Sequence, residues 1–422
     1  MRPGTAFETV PLRPRSQDYH TPAELDGFLE WSGELMRIFI LGIGGAGSLL
    51  AQLLTREGHK VWCGDKDVER ARMFLGKKNC CGVHEVNARN LWSIVRAARG
   101  CHLLVNASPA VFNEIVLRAA LRLGVHYLDL SSHLTRNPFK AEQLRYDKRF
   151  QAKGRAAVIN AGAAPGLTNL LVTRGAELLD SVDSASIRLY ESTSSADPVS
   201  MWSAEAAFDE AISHPRIYRQ GKFLFGRRFS GREIFRFPKP IGEVPVYLAA
   251  QDEVVTLPRV LPMCDFDVKI GGKDIEHLRR WYRQGKLSRS RGLVRKRFPK
   301  TPTPQQIAKL IRQGVLENSR FAAAVLVYGT NDEKRLLLRW DAGFQTLKQI
   351  RARGLLVSPI AYATAHVASL FIKHFPKKLA GVFPPEALPV KTRRAILADV
   401  RSRNIRVSMK VKRMKIEELE FH

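Results

Sequence analysis

The chain has 422 residues, of which 45% are hydrophobic and 26% are charged, and its formal net charge is +28. The length exceeds that of one ordinary domain and fits two or three domains of about 100–200 residues each. The composition excludes a mainly disordered chain. The charge excess points to anionic partners, which include nucleic acid, anionic membranes and anionic small molecules.

Residues 1–36 are rich in Pro and Arg, and we expect an N-terminal extension outside the folded core. This segment lacks the apolar stretch that is typical of a secretory signal. The five cysteines do not have the spacing of a metal site, and a reduced, cytoplasmic protein is the simplest interpretation. They are Cys63, Cys80, Cys81, Cys101 and Cys264.

From Arg37 the sequence alternates between short apolar runs and amphipathic stretches of helical period. The apolar runs indicate buried strands, and glycines suited to left-handed helix caps end the stretches between them: Gly58, Gly100 and Gly124. Continuous apolar strands joined by helices are typical of a parallel sheet with helices on both faces. We therefore predict an α/β fold with a doubly wound Rossmann domain over residues 37–165.

After Gly166 the pattern becomes mixed, which predicts a second, α+β domain over residues 166–354. The elements expected there are a strand at 186–192, a helix at 202–212, a strand at 247–257, and a hairpin of 321–328 with 335–340 around residues 329–332. Residues 355–422 are expected to form C-terminal helices that return to the Rossmann domain, followed by a basic tail.

The longest charge-free run, Leu355–Ile372, is about long enough to span a bilayer. It contains Pro359, His366 and several Ser and Thr residues, which disfavour a lipid-facing helix. We therefore predict a buried helix and no transmembrane segment. A peripheral membrane association through this run is the weaker alternative.

The strongest motif is a GxGxxG sequence that follows an apolar strand and opens a helix. It comprises Gly42, Ile43, Gly44, Gly45, Ala46 and Gly47. In this context the glycines permit a tight turn and a close approach of the backbone to a pyrophosphate at the helix N-terminus. The motif predicts dinucleotide binding; the alternative is a plain glycine turn.

Asp65 ends the second predicted strand, where a carboxylate can accept hydrogen bonds from a ribose 2′-hydroxyl. It would repel a 2′-phosphate and so favours NAD, although the neighbouring Lys66 leaves NADP open. The segment after the fourth strand is expected to face the cofactor with exposed backbone amides, and an ordinary strand-to-helix loop is the alternative. Its residues are Asn106, Ala107, Ser108 and Pro109.

Motifs along most of the chain carry a family resemblance. They are Val105–Pro109, Gly124–Asp129, Asn160–Asn169, Glu253–Arg259 and Gly381–Glu386. With the glycine motif, these segments resemble the saccharopine dehydrogenase and saccharopine reductase family, which includes carboxynorspermidine dehydrogenase-like enzymes. A generic Rossmann protein would not share the middle and final motifs.

The resemblance implies an NAD(P) domain, a central mixed domain that binds substrate and often forms a dimer, and hydride transfer at a carbon–nitrogen bond. The substrate would be an amino-acid-like molecule whose carboxylates pair with cationic groups. Two positions depart from the family pattern. Ala164 stands where many members have an acidic residue before Pro-Gly, and Asn87 stands where the third strand commonly ends in an acidic residue.

Because Ala164 cannot transfer a proton, the candidate catalytic groups are others near the carboxyl ends of the strands. His133 is the first candidate, because an imidazole can transfer a proton to an imine nitrogen, and Asp129 is the second; a structural role is the alternative for each. The substrate-binding candidates are Arg259 for a carboxylate, Trp202 for the pocket wall and Glu253 for an ammonium group, with Arg216, Arg232 and Glu191 behind them.

In the segment 271–300, Lys and Arg greatly outnumber Asp and Glu, and aromatic residues lie among them. Such a mixture resembles a nucleic-acid patch, but no recognised nucleic-acid module accompanies it, and a solvated basic face is favoured. The alternative to an enzyme is therefore a non-catalytic dinucleotide-binding sensor or scaffold whose basic face binds a polyanion.

Overall fold

The structure is a computed structural model, and it describes residues 35–76, 82–134, 137–196, 199, 213–286 and 301–414. Two expected features therefore lie outside the described residues. They are the helix at 202–212 and the second part of the basic segment, residues 287–300.

The first sheet is seven-stranded and parallel, in the order β15-β6-β5-β4-β1-β2-β3. Apolar runs form its central strands, as expected for strands covered on both faces. The strands are β1 (Arg37–Leu41), β2 (Lys60–Asp65), β3 (Val83–Glu85), β4 (Leu103–Asn106), β5 (His126–Asp129), β6 (Ala156–Val158) and β15 (Gly381–Phe383). The predicted doubly wound parallel sheet is confirmed.

Helices cover both faces of this sheet. Alternate side chains of β1 point to opposite layers, because Ile38 and Ile40 pack with α1 whereas Phe39 and Leu41 pack with α3 and α4. Gly124 caps α4 in the left-handed conformation, as predicted. The helices of this part are α1 (Gly45–Arg56), α2 (Val68–Leu75), α3 (Leu91–Ala97), α4 (Asn113–Leu123), α5 (Asp147–Ala152) and α6 (Leu167–Glu177).

The second sheet is nine-stranded and mixed, and its main path is β10-β11-β12-β7-β13-β14-β16, with β8 and β9 attached at β12. The long central strands β7 and β13 pair antiparallel. The strands are β7 (Ser181–Ser195), β8 (Arg216–Arg219), β9 (Lys222–Phe225), β10 (Glu233–Phe237), β11 (Gly242–Leu248), β12 (Asp265–Gly271), β13 (Leu316–Asn331), β14 (Lys334–Gly343) and β16 (Arg406–Arg413). The predicted hairpin is present as β13 and β14.

One predicted strand is wrong. Residues 247–257 do not form a strand, because β11 ends at Leu248 and a helix follows. Residues 253–257 of that helix are all buried, and a short, continuous buried run does not distinguish a helix from a strand. The remaining helices are α7 (Glu253–Val260), α8 (Lys273–Arg283), α9 (Pro304–Arg312), α10 (Leu347–Ala352), α11 (Pro359–Lys373) and α12 (Val390–Asp399).

The C-terminal part contributes to both sheets. Helix α11, which contains most of the charge-free run, is buried and packs against α1 of the first domain. Strand β15 extends the parallel sheet beside β6, whereas β16 pairs with β14 at the edge of the second sheet. Within the described residues, no helix is long and apolar enough to cross a membrane.

Candidate functional site

The glycine turn lies at the carboxyl end of β1 and packs against the loop after β4. Gly42 has a positive φ of 94°, and a Cβ there would lie 2.4 Å from the Ser108 nitrogen. A Cβ on Gly47 would lie 2.0 Å from the Gly42 carbonyl oxygen. A Cβ on Gly44, in contrast, would meet no atom within 4 Å. The turn is therefore closed on its protein side and open at Gly44, where α1 begins.

This open face suits a pyrophosphate. The first turn of α1 contains no acidic residue, and its unpaired backbone amides carry a partial positive charge. A pyrophosphate needs close approach to such amides, which a side chain at Gly44 would prevent. The residues present therefore fit the phosphate groups of a dinucleotide.

Asp65 links the end of β2 to the glycine turn. Its Oδ2 accepts a hydrogen bond from the Ile43 nitrogen at 2.7 Å, and its Oδ1 accepts one from the Asp67 nitrogen at 3.0 Å. Asp65 is partly buried and the neighbouring Lys66 is exposed. The carboxylate thus fixes the glycine turn and lies at the position expected for a ribose contact.

The side chain of Asn106 stabilises the loop after β4 through hydrogen bonds. The Asn106 side chain accepts hydrogen bonds from the nitrogen and hydroxyl of Ser108, and it donates one to Asn113. The Ala107 nitrogen donates to the Leu41 carbonyl at 2.8 Å. The prediction of exposed amides in this loop is therefore wrong for Ala107 and Ser108, and Pro109 has no amide hydrogen. The loop borders the cleft without offering these donors.

Asp129 ends β5 directly opposite Asn106 of β4, so both residues lie at the carboxyl edge of the sheet. Its side chain has no exposed surface. Oδ1 accepts a hydrogen bond from the Asn160 nitrogen, and Oδ2 accepts from the Tyr127 hydroxyl and from Gln143. Burial raises the pKa of Asp129 to about 7, although these hydrogen bonds act in the opposite direction.

The loop after β5 continues into the junction between the two sheets. Ser132 donates its backbone N–H to Asp252 at 2.8 Å and its hydroxyl to the Asn160 side chain at 2.8 Å. His133 is partly exposed, and its Nδ1 lies 3.8 Å from a carboxylate oxygen of Glu142. His133 is therefore the one of the two catalytic candidates that reaches solvent and so the one a substrate can contact.

Glu253 begins α7 and is fully buried against α6. It accepts a hydrogen bond from the Thr168 hydroxyl at 2.8 Å, and no described side chain donates to its other carboxylate oxygen. Burial raises the pKa of Glu253 to about 7, and the nearby carboxyls of Asp252 and Glu386 raise it further. Glu386, which follows β15, accepts a hydrogen bond from Asn169 at 2.9 Å. Helix α6, helix α7 and the segment after β15 thus meet at the buried carboxyl groups of Glu253 and Glu386.

The basic substrate candidates lie beside this junction. Arg259 donates to the carbonyls of Val255 and Phe139, and its guanidinium lies 4.8 Å from the centre of the Phe223 ring. Arg216 is buried and donates to the Pro138 carbonyl, and burial lowers its pKa while the carboxyl of Asp252 raises it. The other candidates are more scattered: Arg232 is exposed, Glu191 is buried in β7, and Trp202 lies outside the described residues.

The comparison with protein families decides the nature of the first domain. Residues 38–158 match the family model for the saccharopine dehydrogenase NADP binding domain. These residues are a saccharopine dehydrogenase-type nucleotide-binding domain. The family match confirms the resemblance predicted from the sequence motifs and supports an NAD(P)-dependent oxidoreductase that binds a nicotinamide dinucleotide.

Solved structures extend the likeness to the whole fold. Apo saccharopine dehydrogenase (L-Glu forming) from Saccharomyces cerevisiae has a TM-score of 0.67 at 11% identity, covering 89% of this chain and 100% of that chain. GenD2 from gentamicin A biosynthesis, solved with NAD, has a TM-score of 0.39 at 13% identity and covers 90% of this chain and 97% of that chain. The first of these matches shows that both sheets belong to a saccharopine dehydrogenase-like fold.

Several junction residues of this saccharopine dehydrogenase-like chain were not identified as functional candidates from the sequence. They are Asp252, Glu386, Asn160 and Gln143. The first three lie in or beside motifs that carry the family resemblance, and that position was the available signal. Gln143 had no comparable signal, because only the fold brings it to Asp129.

Proposed function

We propose that the protein is an NAD(P)-dependent oxidoreductase that acts on a carbon–nitrogen bond of an amino-acid- or polyamine-derived substrate. The observation that carries this proposal is the glycine turn, closed by Gly42 and Gly47 and open at Gly44, within a saccharopine dehydrogenase-type domain. When bound, the nicotinamide supplies or accepts the hydride. The protein must then hold the substrate nitrogen near a proton donor.

For the proton donor we favour His133. It follows the carboxyl end of β5, where ligands bind in doubly wound sheets, and it is the partly exposed candidate. Glu142 beside it would stabilise the protonated imidazole and orient the ring. An imine takes up a hydride on carbon and a proton on nitrogen, so a protonated imidazole in this place suits its reduction.

Asp129 is better suited to positioning than to proton transfer. Its two oxygens already accept hydrogen bonds from three groups, and no surface of it is exposed to a substrate. Through Asn160 it supports Ser132, the residue before His133. In this proposal Asp129 fixes the loop that presents the imidazole. Ala164 takes no part in proton transfer.

For the cofactor we favour NAD over NADP. Asp65 stands at the ribose position with its negative charge, and Asp67 lies close beside it. A 2′-phosphate would meet this charge, whereas a 2′-hydroxyl would donate a hydrogen bond to it. Lys66 is exposed and offsets only part of the repulsion.

The substrate is proposed to lie between the first domain, residues 37–165, and the second, residues 166–354. Arg259 is the candidate for a substrate carboxylate, since its guanidinium is fixed beside the junction by Phe223 and two carbonyls. Glu253 supports the junction from its buried side. We further propose a homodimer formed through the second domain, and a cytoplasmic location.

The proposal is tested by mixing the protein with NADH and a panel of amine and oxo-acid or aldehyde pairs, and following loss of reduced cofactor. We expect turnover with at least one pair. His133→Gln should lower kcat by about a hundredfold or more while cofactor affinity stays unchanged. His102→Gln, at the opposite edge of the sheet, is the control and should retain activity. Cofactor binding without turnover on any pair would favour the non-catalytic sensor.

A further inference from the structure

A cavity with a basic lining lies between helix α10, the turn at residues 400–405 and strand β16. It is open to solvent, and its volume is about 840 Å³. We call it the basic cavity. Its polar lining includes three arginines and three amide side chains: Arg353, Arg401, Arg406, Gln345, Gln349 and Asn404.

The basic cavity is separate from the cofactor cleft. Helix α1 begins in the glycine turn at Gly45 and ends at Arg56, and a helix of 12 residues is about 18 Å long. The turn that lines the cavity lies at the far end of this helix, where Arg403 pairs with Glu57 at 2.5 Å. A ligand in the cavity therefore does not overlap the pyrophosphate position at Gly44.

The wall of the cavity is fixed by internal hydrogen bonds. Asn404 has a left-handed backbone with φ of 59°. Its side-chain oxygen accepts a hydrogen bond from Arg353 at 3.0 Å, and its carbonyl accepts one from Gln345 at 3.1 Å. The Asn404 side chain also hydrogen-bonds the buried Tyr362. The guanidinium of Arg353 is therefore held in place before any ligand binds, which reduces the entropic cost of binding.

The positive charge of this site is not neutralised by the residues that the structure describes. Within the described part of the chain, none of Arg353, Arg401 and Arg406 forms an ion pair with a carboxylate. The positive field also reaches the neighbouring helix α11. Burial, and after it the charges of Arg403, Arg353 and Arg56, lower the pKa of His366 to about 4. The repulsion between these cations favours a ligand of negative charge.

We propose that the basic cavity binds a phosphate-bearing small molecule as a second ligand, distinct from the nicotinamide cofactor. Guanidinium groups bind phosphate oxygens through paired hydrogen bonds, and the three exposed arginines that line the cavity offer more donors than a single carboxylate can use, which suits a group with three oxygens and up to two charges. The amides of Gln345, Gln349 and Asn404 would bind the polar remainder of the ligand. The cavity is large enough for a nucleotide or a sugar phosphate.

The proposal is tested by calorimetric titration of the full chain with inorganic pyrophosphate while NADH is present in excess to fill the cofactor cleft. The double variant Arg401→Ala/Arg406→Ala removes two exposed cations from the cavity. Its matched control, Arg96→Ala/Arg99→Ala, removes two exposed cations from α3 and the turn after it, on the other face of the parallel sheet. Thermal melts should show that both variants remain folded.

We expect saturable pyrophosphate binding by the wild type and the control, and affinity at least about tenfold weaker in the cavity variant. Equal affinity in all three proteins, or equal weakening in both variants, would overturn the proposal, because it would place binding elsewhere or in the general field of the charged chain. Citrate provides the carboxylate arm of the experiment, and tighter binding of citrate than of pyrophosphate would overturn the phosphate assignment. Failure of NADH to bind would count against the proposed function, whereas the comparison of variants would still test the cavity.

Discussion

Carboxyl groups buried at the junction carry much of the electrostatic cost of this fold. Asp129 and Glu253 have no exposed surface, and Glu386 is almost as deeply buried. Burial raises the pKa of Glu386 to about 6 and that of Glu253 to about 7. In the folded protein these carboxyls therefore stay protonated to a higher pH than an ordinary carboxyl does.

The pH dependence of stability should therefore respond to Glu253. Its ordinary pKa is 4.5, and burial raises it to about 7, so the folded state binds more protons than the unfolded state between these values. The contribution of Glu253 to the free energy of unfolding consequently falls as pH rises from about 4.5 to 7 and is then flat. Glu253→Gln cannot ionise and should remove roughly 3 kcal/mol of this fall, as measured by urea unfolding at several pH values.

The control for this measurement is Glu317→Gln, because Glu317 is exposed on β13. Its stability should follow the wild-type curve at every pH. Parallel curves for the wild type and Glu253→Gln would mean that the pKa of Glu253 is the same in the folded and unfolded protein, contrary to the proposed effect of burial.

Single residues differ in how far the sequence reveals them. Gly42, Gly44 and Gly47 could be identified because the GxGxxG spacing is itself the requirement of the turn. The roles of Asp129 and Glu253 could not be assigned in advance. Their burial depends on partners such as Gln143 and Thr168, which only the tertiary fold brings to them.

The hairpin of β13 and β14 shows how an element can be predicted while its turn is misplaced. The expected turn was at residues 329–332, but Asn331 pairs with Lys334, so the two-residue turn is Asp332 and Glu333. Both have positive φ, at 50° and 61°. Such a turn usually contains Gly or Asn, and the signal was missed because neither is present.

Relieving this turn should stabilise the protein. Glu333→Gly removes a Cβ from a left-handed position and should raise the free energy of unfolding by about 0.5–1 kcal/mol, measured by chemical denaturation. Lys334→Gly, one residue later at the start of β14, should lower it by a similar amount because glycine weakens a strand. A loss of stability in Glu333→Gly would contradict the assigned turn geometry.

Across the whole molecule, the order of chain segments in the two sheets was only partly predictable. The alternation of strands and helices after Arg37 predicted the parallel sheet, since its strands are apolar and covered on both faces. The final strand of that sheet, β15, has three residues and no pattern of its own. The basic tail forms the edge strand β16. Its many charged residues are not typical of a strand, so its pairing could not be predicted, and the same charges discourage edge-to-edge association.

Part of the net charge of +28 can be assigned to particular places in the structure. Some cations are paired at the junctions of the fold, as Arg393 is with Glu177 at 2.8 Å. The basic cavity collects others that no described carboxylate neutralises. The charge excess is therefore compatible with small anionic ligands at two separate places, and it does not by itself require a nucleic acid.

The central claim is that a nicotinamide dinucleotide binds at the glycine turn, and a fluorescence titration with NADH and NADPH tests it most directly. We expect saturable binding, tighter for NADH because of Asp65, and binding at least about tenfold weaker in Gly44→Val, whose side chain would fill the pyrophosphate position. Gly343→Val, at an equally open glycine in the second sheet, should bind as the wild type does. Absence of binding at millimolar cofactor, or unchanged affinity in a folded Gly44→Val protein, would contradict the claim.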